Sequence, residues 1–109
     1  MKIYNLYILG PDGRTPVEEP DPLAWASQME ADKCIVQQTT LEEIKVSTVF
    51  LGIDHSFGDG PPLLFETMIF GGKYEEEEYQ KRYSTWAQAE AGHEVACALV
   101  RGFPSLTGG

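Results

Sequence analysis

The chain opens with a period-two alternation of side chains, which is typical of a β-strand. In residues 2–9, Tyr4, Leu6 and Ile8 fall on one face while the intervening residues fall on the other. Turn-forming residues follow at 10–13, where glycine and proline favour a change of direction. We therefore predict a first strand that leads into a loop of about ten residues.

Two amphipathic helices are predicted from capping signals and helical spacing. Asp21 before Pro22 is an N-cap followed by proline at the first helical position, and it predicts a helix over residues 21–31. Thr85, with Gln88 three residues later, forms a capping box that predicts the start of a second helix. The predicted apolar face of the first helix contains Leu23, Ala26 and Met29, with Trp25 beside them. That of the second contains Trp86, Ala89, His93, Ala96, Cys97 and Val100.

Three or four strands are predicted between these helices. Residues 34–39 and 44–53 have the pattern of a β-hairpin, and residues 63–70 have that of a further strand that ends at two glycines. The segments 44–53 and 63–70 are apolar on both faces, which is typical of strands in the middle of a sheet. A last short strand is predicted after the glutamates at 75–78.

The predicted order of elements is β-α-β-β-β-(β)-α, within a single domain that spans residues 1–109. Strands that follow one another without an intervening helix favour antiparallel pairing. We therefore expect an α+β fold with a single antiparallel sheet of about four to five strands and two helices packed against it. Because the middle strands are apolar on both faces, we expect loops or a partner subunit to cover the second face of the sheet as well.

The chain is acidic, with 17 acidic and 8 basic residues and a formal net charge of −9. Binding to nucleic acid or to an anionic membrane requires clustered lysine and arginine, and the basic residues here are scattered. The apolar runs are far shorter than the ~20 residues needed to cross a bilayer. We therefore expect no direct nucleic-acid binding, no membrane association and no signal peptide.

The densest charge in the sequence is the run of four glutamates at residues 75–78. In one interpretation, these glutamates form a solvated turn that keeps a sheet edge from pairing further. In the other, they belong to a surface that binds a basic partner. The candidate binding residues are Glu75, Glu76, Glu77, Glu78, Glu18, Glu19 and Asp21.

A second candidate site is the loop at residues 54–60, which lies between two predicted core strands. Glu66 falls on an apolar strand face, where a carboxylate needs solvent, a partner such as Arg82 or Lys81, or a role in acid–base chemistry. In the ordinary alternative, the loop carboxylates bond their own backbone and His93 is hydrogen-bonded inside the protein. The candidate pocket residues are Asp54, His55, Asp59, Glu66 and His93.

The sequence contains no GxSxG, CxxC or HExxH motif and no glycine-rich phosphate loop. We therefore expect no enzymatic activity, no cofactor and no bound metal. Cys34 and Cys97 are interpreted as reduced thiols of a cytoplasmic protein, with a disulfide in a secreted protein as the alternative.

Three segments of the chain carry a resemblance to known proteins, namely VSTVFLGIDH at 46–55, PPLLFETMIFGG at 61–72 and RYSTWAQAEAGH at 82–93. Together they resemble a family of small proteins carried by tailed phages and prophages, and the resemblance covers roughly residues 44–95. It implies an intracellular protein of viral origin, located in the cytoplasm of the host cell, and it assigns no activity and no site residues.

This resemblance, together with the acidic charge, leads to three hypotheses. The first is an accessory protein that binds a host or phage protein with a basic surface, for example an anti-CRISPR or anti-restriction type of inhibitor of a nucleic-acid-handling or defence complex. The second is a small enzyme or ligand-binding protein that uses the 54–60 loop with Glu66 and His93. The third is a structural homo-oligomer in phage assembly.

Overall fold

The computed structural model describes residues 5–56 and 59–102 of the chain. Its main body is a four-stranded antiparallel sheet with a long helix across one face, so the predicted α+β class is confirmed. The strands are β1 (Tyr7–Leu9), β2 (Pro16–Glu18), β3 (Ile35–Leu41), β4 (Ile44–Phe50), β5 (Phe65–Phe70) and β6 (Tyr79–Tyr83), and the helices are α1 (Pro22–Gln28) and α2 (Trp86–Val100). Short 3₁₀ turns occupy Ala31–Cys34 and Gly72–Glu75.

The prediction of a single sheet is wrong, because the first strand belongs to a small sheet of its own. β1 pairs antiparallel with β2, with Ile8 opposite Val17, so part of the predicted loop is a strand. This hairpin joins the main sheet through an isolated bridge between Leu6 and Ile53.

The turn between β1 and β2 is closed by Asp12. Its carboxylate accepts hydrogen bonds from the backbone N–H groups of Arg14 and Thr15, each at 2.8 Å, and from the Thr15 hydroxyl at 2.6 Å. These bonds, that of the Thr15 hydroxyl first, lower the pKa of Asp12 to about 2. A turn that satisfies its own backbone in this way allows the chain to reverse and form β2.

Helix α1 begins where the sequence predicts, but only part of the predicted apolar side is covered. Asp21 caps it by accepting a hydrogen bond from the backbone N–H of Leu23 at 3.1 Å. The predicted apolar stripe is wrong at Leu23, which is 81% exposed, and at Ala26, which is exposed as well. Met29 is half-buried against the core, and Trp25, predicted beside the stripe, is half-buried and donates its indole N–H to the carbonyl oxygen of Gly52 at 3.1 Å. The helix therefore packs near β1 and the end of β4, and the prediction that both helices cover the main sheet is also wrong.

Strands β3 to β6 form a meander in which each strand pairs with the next. The hairpin predicted from 34–39 and 44–53 is confirmed, and a two-residue turn of Glu42 and Glu43 connects its strands. Glu42 has a φ of 57°, which is the conformation that tight hairpin turns require. The prediction that 44–53 supplies a central strand is also confirmed, since β4 lies between β3 and β5.

The core lies between the sheet and α2. The capping box of Thr85 and Gln88 is present, and Gln88 donates its backbone N–H to the Thr85 hydroxyl at 3.1 Å. Along α2 the predicted apolar face is buried or half-buried, whereas Glu90 and Glu94 are exposed. The strand residues beneath the helix form cross-strand pairs, namely Val46 with Ile69, Thr48 with Thr67, and Phe50 with Phe65.

The opposite face of the sheet is not fully covered by the described residues. Ile35 is 40% exposed and Phe70 is 47% exposed, while Val49 and Met68 are half-buried. Coverage by loops or by a partner subunit was expected for this face, and the described loops leave Ile35 and Phe70 exposed. No helix within residues 5–56 and 59–102 combines the length and apolar content needed to cross a membrane.

Candidate functional site

The predicted acidic residues separate into two groups at opposite ends of the main sheet. Residues 75–78 are exposed and lie in the connection from β5 to β6, beside the start of β4. Residues 18–21 lie beside β1, which contacts Gly52 beyond the end of β4. Because a strand rises about 3.3 Å per residue, the seven residues of β4 separate the two groups by about 20 Å. The predicted acidic residues therefore do not form one continuous surface.

The second group contributes partly to local structure. Glu18 and Asp21 are exposed and Glu19 is half-buried. The Glu19 carboxylate accepts a hydrogen bond from the backbone N–H of Asp21 at 3.2 Å, and Asp21 in turn caps α1. These carboxylates stabilise the junction between β2 and α1.

The group at residues 75–78 contains more acidic residues than the sequence predicted. In a meander, every second connection lies at the same end of the sheet, so the β3–β4 turn lies beside the β5–β6 connection. The backbone confirms this proximity, since a Cβ added to Gly71 would contact the carbonyl oxygen of Glu43 at 2.5 Å. We name this surface the acidic end, and its six exposed carboxylates are Glu42, Glu43, Glu75, Glu76, Glu77 and Glu78.

Three basic residues lie close to the acidic end. Lys45 follows the β3–β4 turn, Lys73 has its Nζ 5.4 Å from the ring centroid of Tyr74, and Arg101 follows α2. Six carboxylates against three cations leave this surface negative. Glu42 and Glu43 could have been assigned to it from the sequence, because the meander was predicted and its alternate connections share an end.

An exposed aromatic side chain borders the acidic end. Phe70 is the last residue of β5, lies opposite Lys45 in the sheet and is 47% exposed. Gly71, which follows it, is the residue that packs against the β3–β4 turn. The acidic end therefore combines a negative rim with an apolar side chain.

An open groove adjoins the same end of the molecule, between the β3–β4 turn and the end of α2. Its volume is about 600 Å³. It is lined by Thr40, Leu41, Glu42, Ile44, Val100 and Arg101.

The residues of the predicted pocket do not converge. Glu66 and Thr67 are consecutive in β5, so their side chains lie on opposite faces of the sheet. Thr67 contacts the network of His93 beneath α2, whereas Glu66 pairs across the other face with Arg82, whose Nε donates to Oε2 at 3.0 Å. Glu66 is therefore paired with Arg82, one of the partners that the sequence suggested, and it shares no pocket with His93.

His93 is fully buried at the centre of the interface between α2 and the sheet. Its Nε2 lies 2.9 Å from the hydroxyl of Thr39, and its Nδ1 lies 2.7 Å from that of Thr48. The Thr48 hydroxyl is also 2.6 Å from that of Thr67. Burial lowers the pKa of His93, although Glu94 opposes this effect. The ring is consequently neutral at pH 7, with both nitrogens engaged by hydroxyl groups.

The three predicted loop residues lie at the end of the sheet opposite to the acidic end. Asp54 accepts hydrogen bonds from the backbone N–H groups of Ser56 at 2.8 Å and Leu63 at 2.9 Å. Burial would raise the pKa of Asp54, but the bonds from Ser56 and Leu63 outweigh it and lower the pKa. His55 bonds through its backbone N–H to Leu63, and Asp59 is exposed. The Asp54 carboxylate therefore connects the start of this loop to Leu63 at its far end.

Neither a metal cluster nor a disulfide is formed by the described residues. No group of three His, Cys, Asp or Glu side chains in residues 5–56 and 59–102 could hold an ion. Cys97 is buried on the inner face of α2, and the Sγ of Cys34 lies 3.9 Å from the Sδ of Met29, so the two cysteines are not joined.

Comparisons with protein-family models, with curated proteins and with solved structures find no match to this chain. The resemblance to phage and prophage proteins therefore stays a prediction from the sequence.

Proposed function

We propose that this protein acts by binding another protein that presents a basic surface, and that the acidic end with Phe70 is its binding surface. The observation that carries this proposal is the juxtaposition of an exposed aromatic side chain with six exposed carboxylates. Buried aromatic anchors supply much of the binding energy in protein interfaces. Charged rims accelerate association and select the partner.

The cellular role that fits this surface is that of a non-enzymatic phage or prophage accessory protein in the host cytoplasm. Enzymes that handle nucleic acids have basic grooves, because they must bind phosphates. An acidic surface can occupy such a groove because its electrostatic potential is opposite in sign to that of the groove. We accordingly propose inhibition of a host nucleic-acid-handling or defence complex, with the sequence resemblance and the charge as support.

The test is affinity capture from host lysate, with bound proteins quantified by mass spectrometry. The test variant carries Gln in place of Glu75, Glu76, Glu77 and Glu78. A control variant removes four charges near the opposite end, through Glu18→Gln, Glu19→Gln, Asp21→Asn and Glu30→Gln. Asparagine retains the N-cap at residue 21, so α1 is preserved.

We expect the wild type to retain a basic protein that elutes at raised salt, because screening weakens exposed charge pairs. The four-glutamine variant should lose this protein, Phe70→Ser should weaken its capture, and the control variant should retain it. Equal capture by the test variant and the wild type would contradict the proposal, and so would equal loss from the two charge variants.

The geometry does not favour the enzyme or ligand-binding hypothesis. It required the 54–60 loop, Glu66 and His93 to line one site, and Glu66 and His93 lie on opposite faces of the sheet. Protein binding is therefore the function that we retain.

A further inference from the structure

The groove between the β3–β4 turn and the end of α2 has an aliphatic floor that is only partly covered. Leu41 and Ile44 line it from the hairpin, and Val100 lines it from the last turn of α2. All three side chains are half-buried, and they pack against the buried core beneath α2. Among the described residues that line the groove, none is aromatic. The floor therefore suits a flexible aliphatic chain and offers no ring on which a planar group could stack.

Two charged side chains line the groove, one from each wall. Glu42 lies in the β3–β4 turn, and Arg101 directly follows α2. Both are exposed, and neither takes part in an ion pair with another described residue. The backbone fixes their positions, since Glu42 occupies a tight turn with a φ of 57° and the N–H of Arg101 bonds to the carbonyl oxygen of Cys97 at 2.9 Å. The Glu42 carboxylate is thus held where it can pair with a cation brought by an occupant.

The groups around the groove make its electrostatic potential negative. The charges of Glu42 and Arg101 offset each other, so neighbouring groups decide the sign. The last carbonyl groups of α2 carry a partial negative charge. The acidic end adds five more carboxylates, at 43 and 75–78, against the two cations of Lys45 and Lys73. A cation is therefore favoured in the groove, and an anion is attracted only by Arg101 among the lining residues.

We propose that this groove binds a lysine side chain of the basic partner, with the methylene groups over Leu41, Ile44 and Val100 and the ammonium group beside Glu42. The inference rests on the proposed function and adds the chemical group that is recognised. Lysine can bury its aliphatic stem while its compact charge stays at the rim. A guanidinium gains most from two-pronged carboxylate pairs or from stacking on rings, and the lining offers a single carboxylate and no ring.

The test uses four blocked tripeptides, each titrated into the whole protein at low salt and followed by the backbone ¹H–¹⁵N NMR signals. The first probe is acetyl-Gly-Lys-Gly-amide. Norleucine in place of lysine keeps the stem without the charge, 2,4-diaminobutyrate keeps the charge on a shorter stem, and arginine changes the cation. The lysine probe should shift the signals of Leu41, Glu42, Val100 and Arg101, and each of the other probes should bind about two- to fivefold more weakly.

Substitutions in the groove and beside it locate the bound ammonium group. Glu42→Gln should weaken binding of the lysine probe about two- to fivefold, whereas Glu43→Gln, outside the lining, should have a smaller effect. Arg101→Gln should tighten binding about twofold, because it removes the opposing charge of the lining. Lys73→Gln removes a cation that does not line the groove and should change the affinity less. All four side chains are exposed, and the spectrum of each free variant shows that it is folded.

Three results would each overturn the proposal. They are equal or tighter binding of the norleucine or arginine probe, equal losses from Glu42→Gln and Glu43→Gln, and weaker binding in Arg101→Gln. The last result would show instead that the groove holds an occupant with a carboxylate.

Capture from host lysate separates this proposal from the proposed function. Glu42→Gln should weaken capture of the basic protein more than Glu43→Gln does. If the variant with glutamine at 75–78 loses the protein while Glu42→Gln and Glu43→Gln act equally, the acidic end stands as the binding surface and the groove is overturned. If the lysine probe binds in the groove as expected while no basic protein is captured, the recognition of lysine stands and the proposed function fails.

Discussion

His93 is a neutral histidine held in the core by the hydroxyls of Thr39 and Thr48, and Thr48 is bonded in turn to Thr67. One consistent arrangement has Thr39 donating to Nε2, Nδ1–H donating to Thr48, and Thr48 donating to Thr67. Protonation would make both ring nitrogens donors, so the Thr39 hydroxyl would have to turn and accept from Nε2 instead of donating to it. It would also place a charge between α2 and the sheet, where burial disfavours it. The folded state therefore resists protonation of this ring.

This resistance predicts a loss of stability in mild acid. The pKa of His93 is lowered in the folded protein, whereas an unfolded histidine has a pKa of about 6.5. As the pH falls below that value the unfolded chain binds a proton that the folded chain does not, and the free energy of unfolding falls. For one proton the slope is at most about 1.4 kcal/mol per pH unit. Urea unfolding between about pH 7.5 and pH 5.5 measures it, above the titration range of ordinary carboxylates.

The matched variants are His93→Gln and His55→Gln. The first should cost about 1–3 kcal/mol at pH 7.5, because a buried hydroxyl loses its partner, and it should remove the dependence on pH in this range. The second changes a histidine in the 54–60 loop and should leave that dependence in place. A slope that persists in His93→Gln would assign the effect to another group.

The sequence suggested a side-chain pair correctly where the two residues lie on neighbouring strands of the sheet. Glu66 and Arg82 are directly opposite on neighbouring antiparallel strands, so the pattern of the sheet was enough to suggest the pair. The partners of His93 come from β3 and β4 and depend on the angle at which α2 crosses the sheet. Helical spacing identified the buried face of α2, but it could not identify what lies beneath that face.

At the scale of elements, Gly52, just beyond the end of β4, contacts both the β1–β2 hairpin and α1. Its carbonyl oxygen accepts hydrogen bonds from the backbone N–H of Tyr7 at 2.8 Å and from the indole of Trp25 at 3.1 Å. Its φ is 75°, and an added Cβ would overlap Met29 and crowd Trp25. The positive φ, together with the close approach of the Trp25 indole, therefore favours glycine at this position.

Gly52→Ala should consequently detach α1 from the main sheet. We expect a loss of more than about 1 kcal/mol in the free energy of unfolding, from backbone strain and from displacement of Trp25. The fluorescence of Trp25, measured in a Trp86→Phe background, should shift to the red as the indole becomes solvated. Denaturant unfolding of the same proteins gives the change in stability.

Gly13→Ala is the control for strain alone. Gly13 has a φ of 72°, and no atom lies within 4 Å of its added Cβ. This variant should lose stability without any shift in the fluorescence of Trp25. Equal shifts in the two variants would contradict the role assigned to Gly52.

The elements that the sequence predicted well are those with strong local signals. Asp21 and the capping box at Thr85 defined where both helices begin. β2 was missed because it is short and lies among prolines and acidic residues, and it forms because Asp12 closes the turn before it. The exposed position of Leu23 was also unpredictable, since the seven residues of α1 are too few for spacing alone to define the buried side.

At the scale of the whole molecule, the meander concentrates charge that the sequence distributes. The net charge of −9 is spread along the chain, but the fold brings the turn at Glu42 and Glu43 beside the glutamates at 75–78. Like charges held together on a surface repel and lower stability. A partner with a basic surface would relieve this repulsion, so the same residues should weaken the free protein and strengthen its complex.

This opposition between stability and binding predicts the effect of a single substitution. Glu77→Gln should raise the free energy of unfolding by about 0.5 kcal/mol at low salt, and the gain should shrink as salt screens the repulsion. Glu90→Gln removes the same charge from the exposed side of α2, away from the acidic end, and should give a smaller gain. Urea unfolding at low and moderate salt measures both variants, and capture of the basic protein should weaken for Glu77→Gln alone. If the two variants gain the same stability, the repulsion comes from the net charge of the whole chain and not from the acidic end. That result would contradict the prediction that the acidic end lowers stability in the free protein.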